Sequence, residues 1–223
     1  MTDDKGKIRL ETRERLGRYP PGVLREFDLA WQPMSEGLQD GQLSAWAQRG
    51  INLAAQTVRS WEAAVQYFKV SPEVLGLMPF SYFIRWAECG SDLCSRSPVL
   101  AVAYFQASPG TMATLRSRHI EVWANLGGKL YKGTWKSSTV ATKYFEASPT
   151  LVRSMTLAEL ERFVSFLDSL SHRSYDVAAE CLVLGEKVLP LIGRDKEAFI
   201  DLASVLVQTS WRQVKGFFDA GAR

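Results

Sequence analysis

The six residues YFQASP at 104–109 return as YFKVSP at 67–72 and as YFEASP at 144–149. A catalytic motif is normally needed once, whereas a phrase that returns at a regular interval marks architecture. With the tyrosine as anchor, Tyr67, Tyr104 and Tyr144 lie 37 and 40 residues apart, and further steps of 37 and 36 reach Cys181 and Phe217. Two other columns keep the same register. A serine stands seven residues before every anchor, at Ser60, Ser97, Ser137, Ser174 and Ser210. About twenty residues before each anchor a large apolar residue recurs: Trp46, Trp86, Trp123, Phe163 and, more loosely, Leu202.

The spacing inside one unit predicts two helices. In FIRWAECGSDL, residues Phe83, Trp86, Ala87, Gly90 and Leu93 fall at i, i+3, i+4, i+7 and i+10. That is one stripe of an α-helix, here called helix A. The serine column then reads as the start of helix B, each hydroxyl accepting from an unpaired first-turn N–H. Pro98 after Ser97 suits a first helical position, and Ser210 with Gln213 has the pattern of a capping box. Three residues before the anchor stand Ala64, Ala101, Ala141, Ala178 and Val214, small enough for a close approach between helices. The aromatic pair then packs onto helix A and the next unit. Pro72, Pro109 and Pro149 predict that helix B stops there, because the residue before proline avoids helical angles. PEVLGLM at 72–78 would then form a separate short turn.

No such unit buries its apolar face alone. The reading is all-α: an α-solenoid of about five helical hairpins over residues 43–223, the last incomplete. The period of 36–40 exceeds the roughly 34 of tetratricopeptide repeats and lies near or below the roughly 40–47 of HEAT repeats. Residues 1–42 do not fit this frame and read as an N-terminal extension. VLREFDLAWQPM at 23–34 predicts a helix capping the first repeat, with Leu24, Phe27 and Trp31 on one face, and the first dozen residues read as loose. Copy five stops just after helix B without a polar cap, which predicts that the natural chain continues past Arg223.

Composition narrows the function classes. The chain of 223 residues is 46% hydrophobic and 23% charged, with 27 basic and 24 acidic residues interspersed. This is ordinary globular material with neither a nucleic-acid footprint nor an acidic tail. No run approaches the roughly 20 apolar residues of a membrane span, and the N-terminus has no apolar core of a secretory signal. Cys89, Cys94 and Cys181 are three thiols at no metal-like spacing and read as reduced, buried residues of a cytoplasmic protein.

The signature W…G…S…AA…YF…SP…L, followed by TSWRQVKGFFDAG at 209–221, resembles the helical N-terminal region of CoxE-like and NorD-like proteins with a C-terminal von Willebrand factor A domain. The similarity spans roughly residues 43–223. Members of that group are paired with MoxR-type AAA+ ATPases in the maturation of metalloenzymes. The resemblance therefore implies a non-enzymatic adaptor that holds the ATPase or its metalloenzyme client. The metal-dependent adhesion motif of that C-terminal domain, Asp-x-Ser-x-Ser, is missing; DSLSH at 168–172 has the wrong spacing.

No residue is singled out as catalytic, cofactor-binding or metal-ligating. His119 and His172 read as loop or solvent-facing histidines. Cys89 and Cys94, five apart, read as small core residues, and Cys181 as a core residue at an anchor position. Gly127 and Gly128 lack the spacing of a phosphate loop, and Gly127 matches Gly50 and Gly90, where close helix packing accounts for glycine. Lys129, Lys132 and Lys136 read as a basic cluster with Arg116 and Arg118, on a solvated face. Trp61, Trp135 and Trp211, near the starts of helix B, read as buried spacers; exposed, they would mark a binding edge. The functional expectation is a protein–protein scaffold. The rivals are a HEAT-like nucleic-acid-binding or DNA-glycosylase-type solenoid, which needs a basic groove and a catalytic carboxylate, and a stand-alone peptide-binding repeat protein.

Overall fold

The computed structural model describes residues 4–221. All regular structure among them is helical: α1 (Asp4–Leu16), α2 (Pro21–Gly37), α3 (Asp40–Ala55), α4 (Trp61–Leu77), α5 (Phe80–Arg96), α6 (Pro98–Met112), α7 (Ile120–Leu130), α8 (Trp135–Ser154), α9 (Leu157–Ser171), α10 (Tyr175–Val188), α11 (Lys196–Ser210) and α12 (Val214–Gly221). Each odd-numbered helix packs on the even-numbered helix that follows it, and each helix also packs on the one two places on. Two rows result, odd helices in one and even helices in the other, with the apolar core between them. The even row is packed the more closely. In the odd row a cleft of about 400 Å³ opens between α9 and α11.

The recurrent residues meet at the seam between the rows. Tyr67, Tyr104 and Tyr144 donate their hydroxyls to the carbonyls of Trp46, Trp86 and Trp123 in the same hairpin, at 3.2, 3.1 and 3.3 Å. The ring faces turn the other way. Tyr67 stacks on Trp86 (5.5 Å, 22°) and Tyr104 on Trp123 (4.7 Å, 27°), each in the next hairpin. Phe68, Phe105 and Phe145 stand edge-on to the tryptophan of their own hairpin. A small residue makes room for each: a Cβ on Gly50, Gly90 or Gly127 would lie 2.0, 2.1 or 2.2 Å from the Cζ of Phe68, Phe105 or Phe145.

The same geometry continues into the N-terminal residues. Phe27 lies 40 residues before Tyr67. It stacks on Trp46 (5.5 Å, 19°) and meets Phe68 edge-on (5.4 Å), as Tyr67 does with Trp86 and Phe105. Phe27 and Trp31 are buried and Leu24 packs against the core, as the amphipathic pattern implies. The first dozen residues, expected to be loose, are instead helical from Asp4: Thr12 and Leu16 bury against the core, and Arg9 and Arg13 pair with Asp28 of α2.

The prolines do not end helix B. Pro72, Pro109 and Pro149 lie inside α4, α6 and α8, and 72–78 is no separate turn. Proline removes one helical N–H, a loss that packing on both flanks outweighs. The preceding serine has a task of its own. Ser71, Ser108 and Ser148 donate to the carbonyl of the tyrosine four residues back at 2.6–2.7 Å. Ser108 and Ser148 also accept the indole N–H of Trp86 and Trp123, at 2.7 and 2.8 Å. The phrase YFxxSP is thus one bonded constellation within a continuous helix.

The later hairpins change partners together. In α9 and α10, Phe163 replaces the tryptophan and Gly185 the serine, so the N–H donor and its acceptor vanish as a pair. A Cβ on Gly185 would lie 2.5 Å from the Phe163 ring. Leu167 and Leu182 stand where the earlier units have the glycine and its facing phenylalanine. In α11 the expected Leu202 is 53% exposed; Ile200 and Ala203 are buried instead. The smaller Ala203 is compensated by Phe218, whose ring meets Phe163, Phe166 and Phe199.

This complementarity gives a test. Gly90→Leu should cost about 3 kcal/mol, because the new side chain overlaps the Phe105 ring. The double variant Gly90→Leu, Phe105→Leu, which copies Leu167 and Leu182 of α9 and α10, should recover part of that loss in urea unfolding. Costs that simply add would refute the complementarity.

Candidate protein-binding edge

The alternation of 37 and 40 in the repeat has a single source. From each ring of helix B to the next ring of helix A the chain takes 19 residues: 27 to 46, 67 to 86, 104 to 123 and 144 to 163. From helix A to helix B it takes 21, 18, 21 and 18: 46 to 67, 86 to 104, 123 to 144 and 163 to 181. The ring-to-ring spans in α3–α4 and α7–α8 are thus three residues longer than in α5–α6 and α9–α10, and their connectors are the longer ones, 56–60 and 131–134 against 97 and 172–174. They project from one edge of the double row.

The serine column holds these connectors in two ways. In the short connectors Ser97 and Ser174 sit at the N-cap, where Ser174 accepts from Val177 N–H at 3.3 Å and Ser97 makes no side-chain cap bond. In the long connectors the serine is fully buried and bonds backward. Ser60 Oγ donates to Ala54 O at 3.0 Å and accepts from Thr57 N–H at 3.0 Å. Ser137 Oγ accepts from the N–H groups of Lys132 and Thr134 at 3.0 and 3.1 Å and donates to Thr134 O at 2.8 Å. Thr134, not Ser137, caps α8. Ser210 makes no cap bond either; a 3₁₀ turn, Trp211–Gln213, leads into α12 instead of the expected capping box. Sequence alone finds the column but not the split, which follows from connector length. Each long connector contains one left-handed residue, Arg59 (φ 68°) and Gly133 (φ 79°).

Large apolar residues stand clear at both places: Val58, in the first of these loops, is 89% exposed, and Trp135, which opens α8 directly after the second, is 75% exposed. The reading of Trp135 as a buried spacer is thus corrected. Trp61 and Trp211, six residues before the anchor, lean on the core, whereas Trp135 lies nine before it and one turn further out. Trp46, Trp86 and Trp123 are fully buried. The Lys136 ammonium lies 5.6 Å over the Trp135 ring and 3.3 Å from Asp176 of α10.

The basic cluster does not form as one patch. Lys132 pairs with Asp168 at 3.0 Å and Lys129 approaches Ser165. Arg116 and Arg118 lie at the far end of α7, which at about 1.5 Å per residue is some 16 Å away. Along the odd row Arg49 pairs with Glu88 (2.8 Å), Arg85 with Glu121 (2.5 Å) and Arg162 with Asp201 (3.2 Å), each bridging successive odd helices. The Arg85 guanidinium holds the Glu88 and Glu121 carboxyls below their usual range. Such exposed pairs fix register more than they stabilise.

The remaining candidates fall where their surroundings explain them. Gly127 is the close-packing glycine facing Phe145, and Gly128 abuts Arg96. Cys89, Cys94 and Cys181 are buried and unpaired, and burial pushes their thiols up to about 11, about 11 and about 12. His119 is half-exposed in the 3₁₀ turn Ser117–His119, and His172 is exposed at the end of α9. Among the described residues no group of three or more His, Cys, Asp or Glu side chains could hold a metal ion. Among them, too, no helix is long and apolar enough to cross a membrane.

No protein-family model, curated protein or solved structure matches the chain.

Ser137→Ala should destabilise the chain by about 1–3 kcal/mol, because two half-buried amides and a carbonyl lose the buried hydroxyl they share. Ser97→Ala, which breaks no cap bond, should cost under about 1 kcal/mol. Equal costs in urea unfolding would contradict the two roles.

Proposed function

We propose that the two rows form an α-solenoid of helical hairpins and that the chain is a non-enzymatic scaffold for another protein. Hairpins α3–α4, α5–α6, α7–α8, α9–α10 and α11–α12 are its five repeats, and α1–α2 prolongs the same frame at the N-terminal end. Support comes from the ring contacts Phe27 on Trp46, Tyr67 on Trp86 and Tyr104 on Trp123, repeated one hairpin at a time. The closer packing of the even row favours a curve with that row on the inside. An extended repeat surface of this kind suits recognition of another protein.

The observation that carries the scaffold reading is Trp135. A tryptophan with its ring largely in solvent, at the start of a helix whose leading loop is held by hydrogen bonds to the buried Ser137, is the kind of residue on which interfaces concentrate their energy. The resemblance to CoxE-like and NorD-like proteins supplies a partner to try: a MoxR-type AAA+ ATPase, with a metalloenzyme as client and the cytoplasm as the place of action.

Trp135→Ala should leave thermal stability unchanged, since the ring buries little. It should weaken capture of the MoxR-type ATPase of the same organism by about tenfold or more, as interface tryptophans do. No capture by the unaltered chain would remove the ATPase. Undiminished capture by the variant would remove Trp135 as the contact. Binding of duplex DNA that falls steeply with salt would favour the nucleic-acid rival.

A further inference from the structure

The opposite edge of the double row carries a different feature. Helix B passes to the next helix A through two residues at α4–α5 (78–79) and at α8–α9 (155–156). At α6–α7 the ring-to-ring count is the same 19, but less of it is helical: α6 ends at Met112 and α7 begins at Ile120. Residues 113–119 form an open connector that ends in the 3₁₀ turn Ser117–His119. Between this connector and the α8–α9 junction lies a cleft of about 300 Å³. Its walls are apolar, with Leu115, Val152, Met155 and Leu160, and its rim carries Arg116 and His119.

The charge at this cleft is one-sided. No carboxylate lines it. Arg118 adjoins it by donating from Nε to His119 Nε2 at 3.1 Å. The carboxylate of Glu159, in the first turn of α9, is already engaged by the Thr156 N–H at 2.6 Å. Among the described residues the Arg116 guanidinium has no hydrogen-bond or ion-pair partner; the same is true of Arg18, Arg153, Arg173 and Arg194, but of these five only Arg116 lines this cleft.

We propose that this cleft docks an acidic segment of a partner protein, which seats one apolar side chain on Leu115, Val152, Met155 and Leu160 and sets a neighbouring Asp or Glu against Arg116. The chemistry is complementary on both counts: an apolar floor takes the anchor, and an unpaired guanidinium takes a carboxylate as a two-pronged pair. A volume near the lower limit of ligand pockets, about 300 Å³, fits a side chain better than a cofactor. A bilayer or a nucleic acid would call for a broader basic surface than Arg116, Arg118 and His119 provide. The partner class rests on the scaffold reading, but the site does not rest on Trp135. Val152 and Trp135 are 17 residues apart on α8, or about 25 Å.

Phage-displayed random peptides selected against the full chain test this directly. The expected enrichment is an apolar residue flanked by Asp or Glu. A synthetic peptide of the enriched sequence should bind at least about tenfold more weakly to Arg116→Glu and to Val152→Asp, and with nearly full strength to Trp135→Ala. Circular dichroism on each variant separates lost binding from lost folding. Enrichment of peptides without acidic residues, no enrichment, or undiminished binding to Arg116→Glu would overturn the proposal. So would binding to phosphatidylserine vesicles or duplex DNA that the same substitution abolishes while peptides fail to bind. If Trp135→Ala abolishes ATPase capture but leaves peptide binding intact, the two surfaces stand separately; if the peptide alone fails, only this inference falls.

Discussion

A tyrosine on an even helix, tied by its hydroxyl to one tryptophan and laid by its ring on the next, is the contact on which the rest of the structure depends. The hydroxyl bond lies within a hairpin; the ring stack lies between hairpins. One side chain thereby sets both the internal fit of a unit and the placement of its neighbour. Burial of the hydroxyl without a partner would be costly, and burial already holds the Tyr104 and Tyr144 hydroxyls far above their usual range. The carbonyl partner is therefore part of the motif, as is the serine that joins the indole N–H to the tyrosine carbonyl. These polar links fix one register among the many that apolar contact alone would allow.

Much of this was legible in the residues. The columns of tryptophan, glycine, serine and tyrosine found the helices, their faces and their order, because a buried ring and the glycine facing it leave little freedom at either position. The register marks Gly50, Gly90 and Gly127 as close-packing residues, and the Phe68, Phe105 and Phe145 rings occupy the space a Cβ would need. The errors have a common cause. The local preference of proline predicts a helix end, whereas helices fixed on both flanks run through Pro72, Pro109 and Pro149. Phe27 lacks the serine seven residues before it, where Pro20 stands, and so carries only the stacking half of the motif, which needs no more than a flat ring. The first dozen residues look charged and loose in sequence, yet the stripe of Ile8, Thr12 and Leu16 is enough to seat α1.

The candidate surfaces were harder to read, for a physical reason. Core positions are dictated by fit, so their pattern repeats; edge residues are dictated by a partner that the sequence does not contain. Three extra residues between the rings of alternate hairpins show as a 37/40 alternation. Their consequence, that Trp135 stands clear of the core, needed the path of the chain. Likewise Arg116 and Arg118 sat near Lys129 in the sequence but lie beyond the other end of α7, and the cleft beside Arg116 arises from a junction whose residue count matches its neighbours.

The central claim is that the inter-hairpin ring stack couples successive units. It is tested most directly by a double-mutant cycle on Tyr104 and Trp123, the pair at 4.7 Å, with Tyr104→Leu, Trp123→Leu and both together in urea unfolding. The account predicts a coupling of about 0.5–1.5 kcal/mol, the range for buried aromatic pairs. A coupling indistinguishable from zero would contradict it, and the recurring phrase would then be a matter of filling each hairpin rather than joining one to the next.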